Sequence, residues 1–255
     1  MALRIDLNAD LGEGFGAWTM GADQEVLRFV TSANVACGFH AGDPSVIDRT
    51  VGLAVRGGVA VGAHPGYLDL RGFGRREMQL PLSEVENDVV YQVGALQAFA
   101  RSHGARLTHV KPHGALYNQA AREEALARAV ARGVARVGTE LVLVGLASSA
   151  AMRQAANAQG LRYAAEAFAD RAYERDGQLV PRARPGAVLD EAEKAAAQAV
   201  SIARDGAVTT LDGTRVAFAA DTLCLHGDSP HAVATASAVR RALAAAGVSV
   251  QALAR

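Results

Sequence analysis

IDLNAD, residues 5–10, is a short apolar segment that ends in the polar side chains Asn8 and Asp10. Six further apolar segments lead into polar residues in the same way: NVACGFH (34–40), VAVGAH (59–64), THVKPH (108–113), LVLVG (141–145), YAAEAFADR (163–171) and LCLHGD (223–228). Parallel strands bring such ends together on one rim, and a barrel of alternating strands and helices builds its active site there. The repetition therefore predicts an α/β fold, a (β/α) barrel, and an enzyme.

Composition narrows the class of protein. Half of the 255 residues are hydrophobic, enough for a large core, and the 26 basic residues balance the 26 acidic ones without forming a basic stripe. No apolar segment approaches the ~20 residues that span a bilayer, and the start lacks the apolar stretch of a signal peptide. Cys37 and Cys224 make no disulfide framework. We expect a soluble cytoplasmic protein that binds neither nucleic acid nor membrane.

The order of segments predicts a single domain over residues 1–255, since no flexible linker or charge block divides the chain. Ser83 with Glu86 predicts a capping box at the start of a long helix. A second helix is predicted from about Arg122 to Val137, and Asp190 is predicted to cap an alanine-rich helix.

The first rim segment places Asn8, Asp10 and Glu13 close together among glycines. Asn and Asp can bond to their own backbone in a turn, but two carboxylates at the end of a buried strand cost free energy unless they are paired or used. We therefore favour a functional role for these residues.

The second rim segment contains Asn34, His40 and Asp43. His40 and Asp43 could serve as metal ligands, or the carboxylate could hold the histidine. Alternatively, Asp43 caps the helix that Pro44 begins. Capping would explain Asp43 but not His40.

The third segment ends in His64 and continues into a loop rich in glycine and arginine. Arg71 and Arg75 each lie next to a glycine, and guanidinium groups bind carboxylates and phosphates in a bidentate way. Arg76 and Glu77 fit a solvated loop better. We expect the loop to bind an anion through Arg71 and Arg75.

The fourth segment, THVKPHGALYN, is the densest cluster. His109 and Lys111 alternate along a strand and so share a face, and His113 and Asn118 follow. A lysine buried at a strand end is either paired or functional. Two histidines, a lysine and an asparagine so close together are hard to explain as core residues.

Two later segments are less decisive. Ser148 and Ser149 lie where a strand passes into a helix, so they either cap that helix or lie where its N–H groups would bind phosphate. His226 and Asp228 continue the rim, whereas His231 is predicted to lie on the surface.

Histidines from different strand ends (His40, His64, His113 and His226), together with Asp10, offer ligands for a metal ion. Their spacing matches no short metal motif such as HExxH, so the sequence does not identify a metal. The chain also contains no GxxxxGK[ST] phosphate loop and no GxSxG motif of a serine hydrolase.

The segments IDLNADLGEGFG, NVACGFHAGDP, GAHPGYLD, RGFGRR, THVKPHGALYN, FADRAY and LCLHGD resemble the LamB/YcsF family, in order and over nearly the whole chain. The resemblance implies a (β/α) barrel of seven strands, related to the glycoside hydrolase/deacetylase barrels. It also implies the family's activity as the A component of bacterial 5-oxoprolinase. In this reaction the lactam of 5-oxoproline (pyroglutamate) is opened to L-glutamate while ATP becomes ADP and phosphate. The family works with two further subunits, B and C (PxpB and PxpC).

This activity suggests roles for the rim residues. We expect Lys111 and the arginine loop to hold phosphates, Mg²⁺ to be bound by Asp10 or Glu13, and a histidine to act as acid or base. The catalytic candidates are Asp10, Glu13, His64, Lys111 and His113. The candidates for contacts to substrate or phosphate are Asn8, Asn34, His40, Arg71, Arg75, His226 and Asp228.

Two other functions fit the same residues. A metal-dependent amide hydrolase or deacetylase would use the histidines and carboxylates without ATP. A non-catalytic partner would only bind the substrate or the other subunits, although the density of titratable groups argues against it.

Overall fold

Each apolar segment forms a strand of one closed sheet. The computed structural model describes residues 3–225 and 231–253. The strands in chain order are β1 (Arg4–Leu11), β2 (Ser32–Ala36), β3 (Ala60–His64), β4 (Leu107–Val110), β5 (Val142–Leu146), β6 (Arg162–Phe168), β7 (Ala207–Thr209), β8 (Arg215–Ala217), β9 (Thr222–Leu225) and β10 (Ser249–Val250). Strands β1 to β6 and β9 are parallel neighbours, and β9 also pairs with β1, which closes a seven-stranded barrel.

Helices follow most of the strands. They are α1 (Asp23–Val26), α2 (Pro44–Arg56), α3 (Leu82–Ser102), α4 (Gly114–Arg122), α5 (Glu124–Val137), α6 (Ala150–Ala158), α7 (Ala192–Val200) and α8 (Ala232–Ala245), and a π-helical turn (Ser201–Asp205) extends α7. Strands β7 and β8 form a small antiparallel hairpin before β9, and β10 pairs with the start of β1. None of the described helices is long and apolar enough to cross a membrane.

The two faces of β1 have different chemistry. Leu7, Ala9 and Leu11 belong to the main apolar core, whereas the alternate residues Asn8 and Asp10 are polar. The side-chain amide of Asn8 donates to Glu166 Oε1 of β6 at 3.1 Å, although β9 lies between β1 and β6 in the sheet. Such a contact crosses the inside of the barrel, so the polar residues of β1 line its interior.

A hydrogen-bonded group of buried polar side chains fills much of this interior; we call it the interior network. It consists of Asp6, Asn8, Ser32, Asn34, His109, Glu166 and Thr222. Asn34 donates to Asn8 Oδ1 at 2.7 Å, and Asn8 donates to Thr222 Oγ1 at 2.7 Å. Barrel diameter grows with strand number, so seven strands leave a narrow interior that such short side chains can fill.

Gly62 of β3 makes room for one member of this network. A Cβ atom at Gly62 would lie 2.1 Å from Nε2 of His109, far inside contact distance. Because Gly62 has no side chain, the His109 ring lies across β3, and its Nε2 reaches Asn34 Oδ1 of β2 at 2.8 Å.

The helix predicted from about Arg122 to Val137 is confirmed as α5, which begins at Glu124. The structure has two helices here, α4 and α5, separated by Glu123 in an extended conformation (φ −107°, ψ 104°). The sequence prediction missed α4, because the polar residues after His113 were interpreted as part of the rim.

Two predicted helix caps were wrong. Helix α3 begins after Pro81 without a side-chain cap, and the Glu86 carboxylate instead accepts hydrogen bonds from Arg132 and Arg136 of α5. Helix α7 begins two residues after Asp190 and has no side-chain cap. In α3, the Glu86 carboxylate forms ion pairs with a neighbouring helix and does not form the predicted capping box.

The substitution Gly62→Ala tests the interior network. The new methyl group must displace the His109 ring, so we expect a loss of about 1–3 kcal/mol or more in the free energy of unfolding, measured by urea denaturation. Gly94→Ala in α3 is the matched control, because a Cβ atom there meets nothing within 4 Å. That control is expected to stabilise the protein by about 0.5–1 kcal/mol. Unchanged stability in Gly62→Ala would contradict this account.

Candidate active site

A cavity of about 460 Å³ opens at the carboxyl-terminal end of the barrel strands. Six of the predicted site residues line it: Asp10, Glu13, His64, Arg75, Lys111 and His113. The lining residues without a predicted role include Tyr117, Phe168, Arg171 and Arg182. The rim expected from the repeated sequence pattern therefore surrounds a cavity.

Lys111 lies at the base of this cavity and is almost fully buried. Its Nζ is 2.9 Å from Asp10 Oδ1, 2.9 Å from Glu166 Oε1 and 3.0 Å from Cys224 Sγ. Burial alone would lower the pKa of Lys111, but the facing groups, Asp10 foremost, raise that pKa well above its usual value. The lysine is therefore a fixed positive charge between two carboxylates.

Glu166 is the residue of this group that the sequence analysis did not assign to the site. It lies on β6, is fully buried, and faces the Tyr117 hydroxyl as well as Lys111. A carboxylate inside the apolar run YAAEAF was the available signal, since a buried charge is costly unless it is paired or used.

A second group, which we call the imidazole cluster, consists of Glu13, His40, His64 and His113. One donor atom from each residue lies within 4.8 Å of all the others, and all four residues are buried. His113 Nδ1 is 3.0 Å from His64 Nε2, and Glu13 Oε1 is 3.7 Å from His113 Nδ1 and 3.9 Å from His40 Nε2. His40 and His113 stack face to face at 3.7 Å.

The electrostatics of the cluster favour uncharged rings at His40 and His113. Burial, followed by the neighbouring histidines, holds the pKa of His40 well below its usual value, and burial does the same for His113. Neutral imidazoles present a lone pair, so the cluster can accept a proton or bind a metal ion. Asp10 Oδ2 lies 3.3 Å from His64 Nε2 and connects the cluster to Lys111.

Asn8, Asn34 and His40 lie beneath the cavity and do not line it. The amide of Asn34 donates to Asp10 Oδ1 at 2.9 Å, and the amide of Asn8 donates to Glu166. The structure therefore places both asparagines where they orient the carboxylates that flank Lys111.

The arginine loop is divided. Arg75 lines the cavity and stacks over the Phe73 ring, whereas Arg71 is exposed and is not among the lining residues. Arg76 forms an ion pair with the buried Asp69. The predicted residues His226 and Asp228 lie outside the described part of the chain.

Capping accounts for two of the ambiguous residues. Asp43 accepts hydrogen bonds from the backbone N–H groups of Ser45 and Val46 and so caps α2. Ser149 caps α6 by accepting from Met152 N, and its own hydroxyl donates to a backbone carbonyl. His231 is exposed, as predicted.

Comparison with known proteins extends this description. A model of the LamB/YcsF family matches residues 5–255. The chain is 56% identical to the A component of 5-oxoprolinase from Bordetella pertussis over 248 residues, 97% of this chain and 98% of that protein. The crystal structure of the lactam utilization protein from Thermus thermophilus matches with a TM-score of 0.93 at 50% identity, covering 98% of this chain and 100% of that one.

A more distant structure shares the fold alone. The polysaccharide deacetylase Bc1974 from Bacillus cereus matches 99% of this chain and 93% of its own at 12% identity, with a TM-score of 0.51. The predicted deacetylase-like barrel is thereby confirmed.

Acid should destabilise the protein through His109. Burial lowers the pKa of His109 to about 3, whereas an unfolded histidine titrates near 6.5. Between these values the unfolded chain binds the extra proton, so stability is lost as pH falls from about 6.5, by up to about 1.4 kcal/mol per pH unit. Urea denaturation of the parent and of His109→Gln from pH 7.5 to 5 measures this slope.

We expect a shallower slope for His109→Gln. The control is His103→Gln. It alters a histidine that pairs with Asp48 near the surface and leaves His109 intact, so it should retain the parent's slope. Equal slopes for the parent and His109→Gln would contradict the assignment.

Proposed function

The chain belongs to the LamB/YcsF family, and we propose that it acts as the A component of an ATP-dependent 5-oxoprolinase. In this reaction the lactam of 5-oxoproline is opened to L-glutamate while ATP is hydrolysed to ADP and phosphate. The observation that carries the proposal is the buried ammonium of Lys111, held between Asp10 and Glu166 at the base of the cavity.

The charge of the cavity supports an anionic substrate. Arg75, Arg171 and Arg182 all line it. Burial, followed by the charge of Arg182, lowers the pKa of Arg171 to about 10. Two of the guanidinium donors of Arg171 already bind backbone carbonyls, at 3.1 and 2.6 Å, which fixes the group in place. The carboxylate of 5-oxoproline or the phosphates of ATP would relieve the repulsion among these cations.

The chemistry requires activation of an amide. A five-membered lactam is resonance-stabilised and its attack by water is slow, so phosphorylation of the amide oxygen would make the carbon electrophilic and provide phosphate as a leaving group. Positioning and charge neutralisation dominate catalysis of phosphoryl transfer. We propose that Lys111 neutralises charge on the reacting oxygens and that Asp10 orients water or the ring N–H.

Tyr117 offers a further contact. Its hydroxyl is buried beside the Glu166 carboxylate, and the residue lines the cavity. Burial, followed by the charge of Glu166, raises the pKa of Tyr117 well above its usual value, so the group remains a donor at neutral pH. A carbonyl or phosphate oxygen of the substrate would compete with Glu166 for this donor.

Other components complete the proposed reaction. Mg²⁺ would accompany ATP, with Asp10 or Glu13 as the protein carboxylate and phosphate oxygens and water as the remaining ligands. The B and C subunits of the complex would join this chain for turnover. In the proposed reaction, His64 or His113 would transfer a proton as general acid or base.

The imidazole cluster favours a second candidate, a metal-dependent amide hydrolase that needs no ATP. One assay separates the two functions: the purified chain is mixed with 5-oxoproline, with and without ATP and the B and C subunits, while phosphate and glutamate are both measured. The proposed function predicts that glutamate and phosphate form together and only in the complete mixture. Glutamate formed by the chain alone without ATP would establish the hydrolase instead.

The substitution Lys111→Met is expected to reduce turnover of the complete mixture by a factor of ~10²–10³ or more, because the fixed charge is lost. Lys194→Met is the matched control, since Lys194 is the other lysine of the chain and is exposed on α7.

Lys111→Met also removes the cation that faces Asp10 and the buried Glu166, and so threatens the fold. The double variant Lys111→Met/Glu166→Gln removes one of those charges, and thermal unfolding shows which variants are folded. Near-normal turnover by either folded variant would contradict the role of Lys111.

A further inference from the structure

The donor atoms of the imidazole cluster are oriented by hydrogen bonds outside it. His64 Nδ1 lies 2.7 Å from the backbone carbonyl oxygen of Lys111, and His113 Nε2 lies 2.8 Å from that of Phe73. A carbonyl oxygen only accepts, so each of these nitrogens carries the proton. The opposite nitrogens, His64 Nε2 and His113 Nδ1, therefore present lone pairs.

These two lone pairs face each other. His64 Nε2 and His113 Nδ1 are 3.0 Å apart, and carboxylate oxygens of Asp10 and Glu13 approach the same two nitrogens at 3.3 and 3.7 Å. Acceptors at such distances repel one another unless a cation lies between them. A carbonyl oxygen that fixes the ring tautomer is also the usual support of a metal-binding histidine.

His40 adds a third imidazole with the same need. The residue is fully buried, and neither of its ring nitrogens has a hydrogen-bond partner among the described residues. A polar atom buried without a partner costs roughly 1–3 kcal/mol. Gly66 packs against the Nδ1 side, where a Cβ atom would lie 2.8 Å from that nitrogen, so Nε2, which faces Glu13, is the available donor.

We propose that Glu13, His40, His64 and His113 bind one divalent transition-metal ion of the zinc class. Four ligands in a tetrahedron with bonds of about 2.0 Å lie roughly 3.3 Å apart. Three of the observed separations are 3.0, 3.7 and 3.9 Å, and all four ligand atoms lie within 4.8 Å of one another. The His40 and His113 rings are stacked with parallel planes, so one of the two rings must rotate to direct its lone pair at a shared ion. Three nitrogens and one oxygen suit Zn²⁺, Co²⁺ or Ni²⁺, whereas Mg²⁺ and Ca²⁺ select oxygen ligands.

The inference does not rest on the proposed 5-oxoprolinase activity, because it concerns binding alone. If the ion is bound, the lone pairs of His64 and His113 are occupied, and the proton transfer proposed for them passes to Asp10. The competing explanation is a proton shared between His64 and His113, which would satisfy those two rings and leave His40 without a partner.

The test uses the full chain, treated with a chelator and dialysed, and then titrated with Co²⁺ and with Zn²⁺. We expect one ion per chain by elemental analysis, visible absorption typical of four-coordinate Co²⁺, displacement of Co²⁺ by Zn²⁺, and a higher melting temperature. Millimolar Mg²⁺ should not displace the cobalt. Absence of stoichiometric binding, or binding that Mg²⁺ displaces, would overturn the proposal.

Variants locate the site. Glu13→Gln keeps the shape of the side chain, and we expect its affinity for Co²⁺ to fall at least tenfold. His40→Asn and His113→Asn should each lose stoichiometric binding, whereas His103→Asn and His231→Asn, which alter histidines outside the cluster, should bind like the parent. Because the loss of a buried imidazole can prevent folding, circular dichroism is recorded for each variant. Glu13→Gln alone is enough to decide, since parent-like affinity in the folded Glu13→Gln variant would contradict the four-ligand site.

Discussion

The positive charge of Lys111, buried inside the barrel, is the constraint on which the rest of the site depends. An ammonium in that position is stable only with compensating charge, and removal of one partner from a buried pair commonly costs about 3–5 kcal/mol. Asp10 and Glu166 provide the charge from two different strands, each at 2.9 Å. Asn34 and Asn8 in turn hold those carboxylates, so the charge organises the polar interior beneath it.

This arrangement explains why the interior of the barrel is polar. An apolar filling would remove these donors. Asn8 and Asn34 donate to Glu166 and Asp10, and Thr222 donates to Asp6 within the same narrow cylinder. Gly62 belongs to the same arrangement although it carries no functional group, because its missing side chain is the space that His109 occupies. Stability and site geometry are therefore controlled by the same residues.

The sequence predicted what depends on local pattern. Seven apolar runs became seven strands, and Lys111, His40, His64 and His113, which follow three of those runs, lie together at one end of the barrel. The sequence did not predict what depends on distant partners. Glu86 looked like a local cap but pairs with arginines on another helix, and Glu166 gained its importance from Lys111, far away in the chain. The division of α4 from α5 depends on the backbone of a single residue, Glu123.

The interior network determines how substrates enter and products leave the cavity. Its side chains are almost completely buried and fill the barrel interior beneath the cavity. In the described part of the chain, the barrel is therefore open at one end and closed at the other. Whatever enters by the mouth must also leave by it, and two molecules that react there must depart in turn. A protein bound over that opening would therefore control both substrate entry and product release without contacting the reacting atoms.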